Sequence, residues 1–142
     1  MKKLAVAGLV AVVLTLIGCG MNDHRQGNIN GTWTAVLTGD GNFTFGTSFV
    51  VNNDGTLGIS QFSFSTNGPC FVSGETASGS FGFAGDFNGN VTGTFGYKVV
   101  SGSPSGNTLT LTGTVNGNTI AGNWSLTGGS GCTGSGIFTM TR

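Results

Sequence analysis

From Gly31 to the C-terminus the chain alternates apolar and small polar residues with a period of two, and this alternation is cut at intervals by Asx-Gly pairs. Such a pattern places successive side chains on opposite faces of an extended backbone and is incompatible with a helical stripe. Trp33, Ala35 and Leu37 share one face of a first strand, with Thr32, Thr34 and Thr38 on the other. A second strand carries Phe43, Phe45, Thr47, Phe49 and Val51 in phase. The third has Leu57 and Ile59 in one phase and Phe62 and Phe64 in the other, so a bulge near Ser60 or Gln61 is expected to restore the inward face. Ala77, Gly79, Phe81 and Phe83 define the fourth strand, and Val91, Gly93, Phe95, Tyr97 and Val99 the fifth. The last three carry Leu109, Leu111, Gly113 and Val115, then Ile120, Gly122, Trp124 and Leu126, then Gly136, Phe138 and Met140. The expected fold is all-β: an eight-stranded antiparallel up-and-down meander, closed into a barrel or flattened into a sandwich.

A partial repeat supports the hairpins. Phe83 to Asn90 parallels Leu111 to Asn118, each ending in Asn-Gly-Asn, and each is followed by a strand with Gly two residues before an aromatic, Gly93 to Phe95 and Gly122 to Trp124. Asn-Gly suits the hairpin turn with two positive φ angles, whose twist matches paired strands.

Composition decides between a folded domain and a polar tract. Gly accounts for 28 of 142 residues and only 7% are charged, which on its own fits a low-complexity segment. The 11 Phe and two Trp recur at regular places and supply the apolar area that a disordered tract lacks. Charge is sparse and unclustered, which gives no electrostatic basis for binding nucleic acid.

Connection lengths give an internal test of the topology. In a meander the links after strands two, four and six share one end with the N-terminus, and these contain the tight Asp54-Gly55, Asn88-Gly89 and Asn116-Gly117 turns. The links after strands one, three, five and seven share the other end. They include both Gly- and Ser-rich loops that carry Cys70 and Cys132.

The N-terminus has a different character. Lys2 and Lys3 precede an apolar run from Leu4 to Ile17, and Gly18 stands before Cys19, the three parts of an export signal. As a helix that run would reach about 21 Å, short of a bilayer core of roughly 30 Å, so a permanent span is disfavoured. Leu16, Ile17, Gly18 and Cys19 resemble the lipobox of bacterial lipoprotein precursors. The resemblance implies cleavage between Gly18 and Cys19, a diacylglyceryl thioether on Cys19 with further N-acylation, and a membrane held through that lipid. Several acyl chains are needed for stable anchoring, because one binds only reversibly. Gly20, where enteric inner-membrane lipoproteins usually carry Asp, points to the outer membrane of the cell envelope. The resulting division is a signal peptide over 1–18, a lipidated Cys and flexible tether over 19–30, and a β domain over 31–142.

If Cys19 carries lipid, Cys70 and Cys132 remain as one pair, and an exported chain favours a disulfide between them. A metal site is the alternative, but two thiols with no nearby His or third Cys make a poor zinc cage. No metal or other cofactor is expected beyond the covalent lipid.

The domain resembles the calycins, the lipocalin and avidin barrels. Gly31, Thr32 and Trp33 match the Gly-x-Trp that opens the first lipocalin strand, and Ile29 to Trp33 is similar to the start of an avidin chain. By that resemblance Arg142 is a candidate to pack on Trp33. The lipocalin C-terminal helix is missing, and avidin's biotin-contacting Asn and Ser are replaced by Ala35 and Gly39, so biotin binding is not carried over.

Catalytic chemistry is not indicated. The only His, His24, lies in the tether, and Asp40, Asp54 and Asp86 occupy turns where Asp serves local backbone hydrogen bonds. Glu75 follows the Cys70 loop without an evident partner. A non-enzymatic reading is therefore expected, in one of three forms. In the first, loops at the disulfide end, with Asn67, Phe71, Pro104 and Ser105 as candidate binding residues, meet an envelope protein or small ligand. In the second, the Phe-rich interior is packed and the domain is structural. In the third, the barrel spans the outer membrane, its alternation turned inside out. A lipocalin-like carrier of a small apolar ligand is a further variant of the first.

Overall fold

The computed structural model describes residues 29–64, 70–71, 75–83, 91–101, 106–129 and 131–142. The lipobox residues Gly18 and Cys19, the tether, His24, the Asn88-Gly89 turn with Asp86, and the loop residues Asn67, Pro104 and Ser105 lie outside the described residues.

Eight strands are present: β1 (Gly31–Gly39), β2 (Phe43–Val51), β3 (Leu57–Phe64), β4 (Thr76–Phe83), β5 (Thr92–Val100), β6 (Thr108–Asn116), β7 (Thr119–Thr127) and β8 (Gly134–Thr141). They form one antiparallel sheet in the order β3-β2-β1-β8-β7-β6-β5-β4. The meander thus closes through its two chain ends, with Ala35 opposite Met140 and Leu37 opposite Phe138. The result is a nearly closed barrel. Among the described residues its one gap in the ladder falls between β3 and β4, where Thr56, just before β3, bridges to Ser80 and the Phe81 amide donates to the Gly55 carbonyl at 2.7 Å.

The inward face is the apolar one. Trp33, Leu37, Phe45, Phe49, Tyr97, Leu109, Leu111, Ile120, Phe138 and Met140 are all buried, while the outward positions of β1 are Thr32, Thr34, Val36 and Thr38. β3 keeps its hydrophobic face inward through the expected bulge: Ser48 pairs with Gln61 and Phe49 with Ile59, leaving Ser60 as the extra residue. A bulge bends its strand, and this one comes shortly after the Thr56–Ser80 bridge.

One inward-phase residue behaves differently. Phe83 holds the phase of β4 but sits at its last position, past the core, and is 54% exposed, touching Phe81 edge-on at 6.4 Å. Alternation sets which face a side chain takes, but burial also needs a neighbour across the interior at that height.

Inward glycines make room for rings. Trp124 of β7 lies over Gly136 of β8, where an added Cβ would collide with the Thr38 carbonyl and come within 2.7 Å of the indole nitrogen. The indole N–H reaches past that glycine to donate to the Thr38 carbonyl of β1 at 3.0 Å. Trp33 at the opposite end donates to the Ile29 carbonyl at 2.8 Å. Both buried indoles therefore satisfy their one polar atom, as burial requires.

Candidate functional site: the disulfide-tied end of the barrel

The connections after β1, β3, β5 and β7 meet at one end. Cys70 in the β3–β4 connection and Cys132 in the β7–β8 connection form a disulfide across 62 residues, with their Cα atoms 5.6 Å apart. The strand parity read from the sequence thus brings the two thiols together as expected.

Asn107, just before β6, ties a third connection to this pair. It is 1% exposed, and its amide nitrogen donates to the Cys70 carbonyl at 2.8 Å while its amide oxygen accepts the Gly129 amide at 3.0 Å. Its own carbonyl accepts the Ser101 amide at 2.8 Å. A side chain that donates and accepts at once is what two loops offering a carbonyl and an N–H require. Gly128 is the matching vacancy, since a Cβ there would overlap the Asn107 amide. Sequence reasoning did not single out Asn107. The available signal was an amide residue between a Gly-Ser loop and an alternating strand.

Asp40 secures the remaining connection. Its carboxylate accepts the Ser135 amide at 2.9 Å and the Ser135 hydroxyl at 3.2 Å, and its own amide donates to the Ser135 carbonyl at 3.0 Å. The role is structural, but the bonds run to Ser135, 95 residues away at the start of β8, and not to the local turn backbone expected from the sequence. Asp54, at the other end, accepts from the Thr56 hydroxyl at 2.6 Å and the Thr56 amide at 2.9 Å, and these bonds hold its carboxyl below the usual carboxylate range.

Of the expected binding-loop residues, Phe71 is the one within the described set. It is turned into the barrel, buried, and stacked on Phe64 with ring centroids 4.6 Å apart. Its ring is thus a core contact of the β3–β4 loop and not a side chain presented to solvent. Lys98 stands on the outer wall among small hydroxyl residues, beside a shallow depression of about 330 Å³ lined by Ser78, Ser80, Gly96, Thr110 and Thr112.

Among the described residues the interior holds one polar cluster. Thr47 of β2 and Tyr97 of β5 meet hydroxyl to hydroxyl at 2.6 Å, and Thr47 also donates to the Gln61 carbonyl beside the bulge at 3.1 Å. Burial pushes the Tyr97 phenol up to about 12, the Thr47 contact opposing this. Thr47 was legible as an inward-phase threonine, but its partner was not. Around the pair the rings of Phe45, Phe62 and Phe95 pack against Tyr97.

The tight-turn end carries the chain termini. The Arg142 guanidinium lies 5.1 Å from the centroid of the Trp33 ring, with Nε donating to Asn118 Oδ1 at 2.9 Å and an Nη to the Asn30 carbonyl at 3.1 Å. Trp33 stacks on Phe49 with 7° between ring planes. The C-terminal arginine expected from the calycin resemblance is thus in place. Among the described residues no three His, Cys, Asp or Glu side chains group to hold a metal ion, and no helix is long and apolar enough to cross a membrane.

The architecture is compatible with a calycin-like barrel. The chain matches no protein-family profile, no characterised protein and no solved structure.

Proposed function

We propose that this chain is a bacterial cell-envelope lipoprotein, anchored through lipid on Cys19 and sorted to the outer membrane, whose barrel is a non-enzymatic binding or structural module. The observation that carries the reading is the polarity of the barrel. Ile29, the first described residue, lies against Trp33 at the tight-turn end, and the disulfide-tied loops lie at the other. A tether from Cys19 would therefore leave the membrane-facing end and present the tied loops away from the bilayer. The interior supports surface recognition over ligand carriage, because Phe45, Phe49, Phe95, Tyr97 and Phe138 occupy the space a carried molecule would need. The Thr- and Ser-rich outer wall supports a water-facing barrel over a lipid-facing one, whose outward band would be apolar. Kinship with the calycins is favoured by the meander and by the Arg142 lid on Trp33.

Radiolabelled palmitate tests the anchor. Label is expected in the wild-type precursor and absent from Cys19→Ser, with the wild type in the outer-membrane fraction. A soluble, unlabelled wild type would overturn the proposal. Crosslinking from the tied-loop end in intact envelopes then identifies what those loops meet.

A further inference from the structure

Rows of threonine and serine cover the outer wall, and on β5 one row is interrupted. The outward positions of that strand run Thr92, Thr94, Gly96, Lys98. Gly96 pairs with Ser80 of β4 and Thr112 of β6, and Lys98 pairs with Ser78 and Thr110 on the same two strands. These residues line the depression of about 330 Å³.

Nothing in the fold requires the glycine at its floor. The inward glycines Gly93, Gly113 and Gly122 would each drive a Cβ into a main-chain carbonyl oxygen. Among the described residues a Cβ on Gly96 would meet a single group within 4 Å, the Ser80 hydroxyl at 3.2 Å, which can turn aside. Gly96 is not one of the glycines with positive φ, and the register of β4, β5 and β6 runs through it without a bulge. Glycine weakens a strand, and in a strand interior it marks a place that another molecule approaches closely. Gly46 on β2 is equally free, with Ser63 Oγ at 3.6 Å, but its cross-strand neighbours Thr34 and Ser63 carry no charge.

Lys98 supplies the charge at Gly96. Among the described residues it is the one cation on the wall and makes no ion pair or hydrogen bond, whereas Arg142 is held by Asn118, Asn30 and Trp33 at the tight-turn end. No carboxylate among the described residues lines the depression. An ammonium beside four hydroxyls suits a ligand with one negative charge that also exchanges hydrogen bonds.

We propose that this depression binds an acidic sugar residue, a uronate, with its carboxylate on Lys98 and its ring over Gly96. The ring hydroxyls would exchange hydrogen bonds with Ser78, Ser80, Thr110 and Thr112. A phosphate monoester would bring nearly two charges to one cation. An amino acid would bring an ammonium that finds no carboxylate, and an aliphatic acid would lay its chain on hydroxyls and leave them unpaired. The volume stands at the lower end of ligand sites, which begin at about 300 Å³, and so fits one ring. The site is separate from the disulfide-tied loops and needs no anchor on Cys19.

The probe is sodium glucuronate, titrated into the purified full chain in detergent while backbone amides are followed by NMR, beside glucose, sodium acetate and a glucose phosphate. Saturable shifts are expected at Ser80, Gly96, Lys98 and Thr112 with glucuronate, at an affinity about tenfold or more above that for glucose or acetate. Lys98→Gln should lower glucuronate affinity to that for glucose, and Lys98→Arg should keep part of it. Gly96→Thr fills the floor and should abolish binding, while Gly46→Thr should leave it unchanged. Unshifted amides on β1, β7 and β8 check that each variant is folded. The absence of saturable shifts with glucuronate, equal affinity for glucose or acetate, or unaltered affinity in Lys98→Gln or Gly96→Thr overturns the proposal. Tighter binding of the glucose phosphate also overturns it, by assigning the site to a phosphate group.

Discussion

Tyr97 donates its hydroxyl proton to Thr47 inside the barrel, across 2.6 Å and 50 residues of sequence. The direction follows from the third partner. The Gln61 carbonyl can only accept, so the single Thr47 proton goes to it at 3.1 Å, leaving Thr47 as the acceptor for Tyr97. The relay joins β2, β3 and β5, three strands of which β3 and β5 share no ladder.

The relay makes the two hydroxyls unequal. Tyr97→Phe removes a donor and leaves Thr47 bonded to Gln61, a loss of about 1 kcal/mol. Thr47→Val strands the buried Tyr97 hydroxyl and the Gln61 carbonyl, and is expected to cost about 2 kcal/mol. In the double variant the stranded phenol is gone, so denaturant unfolding should give less than the sum of the single losses. Strict additivity would contradict the relay.

Alkaline pH should act through the same residue. The folded phenol titrates at about 12 against an ordinary value of 10.0, because burial disfavours phenolate. The folded state therefore holds a proton that the unfolded state releases. Its contribution is complete below about pH 10 and is lost as pH rises toward 12, with a slope approaching 1.4 kcal/mol per pH unit. Tyr97 is the only tyrosine, so tyrosinate absorbance reports it directly, and Tyr97→Phe should flatten the slope.

The disulfide and Asn107 hold the same loops by different physics. Closing a loop of 62 residues restricts the unfolded chain by about 4 kcal/mol, which Cys70→Ser with Cys132→Ser should forfeit. Asn107→Ala leaves the Cys70 carbonyl and the Gly129 amide unpaired, for about 2 kcal/mol. Asn107→Asp keeps the acceptor but sets a buried carboxylate against the Cys70 carbonyl. It should destabilise more than alanine at neutral pH and recover on acidification, as read by thermal melts.

Gly136→Ala tests the room left for Trp124. The added methyl would collide with the Thr38 carbonyl and lie 2.7 Å from the indole nitrogen, the two groups that bond to each other, and so would part them. A loss of about 3 kcal/mol is expected, with a red-shifted tryptophan emission. Gly129→Ala, where a Cβ meets nothing within 4 Å, should leave both unchanged.

Much of the fold was legible in the sequence because strand alternation is a property of the backbone itself. A period of two assigned Trp33, Phe45, Tyr97 and Leu111 to the inside, located the Ser60 bulge from a phase change, and put Cys70 and Cys132 at one end by strand parity. Each of those inferences needs only neighbours in the chain and the rule that consecutive strands reverse direction.

The tertiary structure decided what depends on groups meeting across the interior. Nothing local pairs Thr47 with Tyr97, brings Asn107 to the Cys70 carbonyl, or turns Phe71 inward onto Phe64. The position of the gap belongs here too. A meander of eight strands does not specify which neighbours leave their ladder open, and among the described residues the gap fell between β3 and β4, beside the bulge at Ser60. Alternation is written residue by residue, whereas closure is a balance among distant packing, loop restraint and strand bending that exists only once the chain has folded.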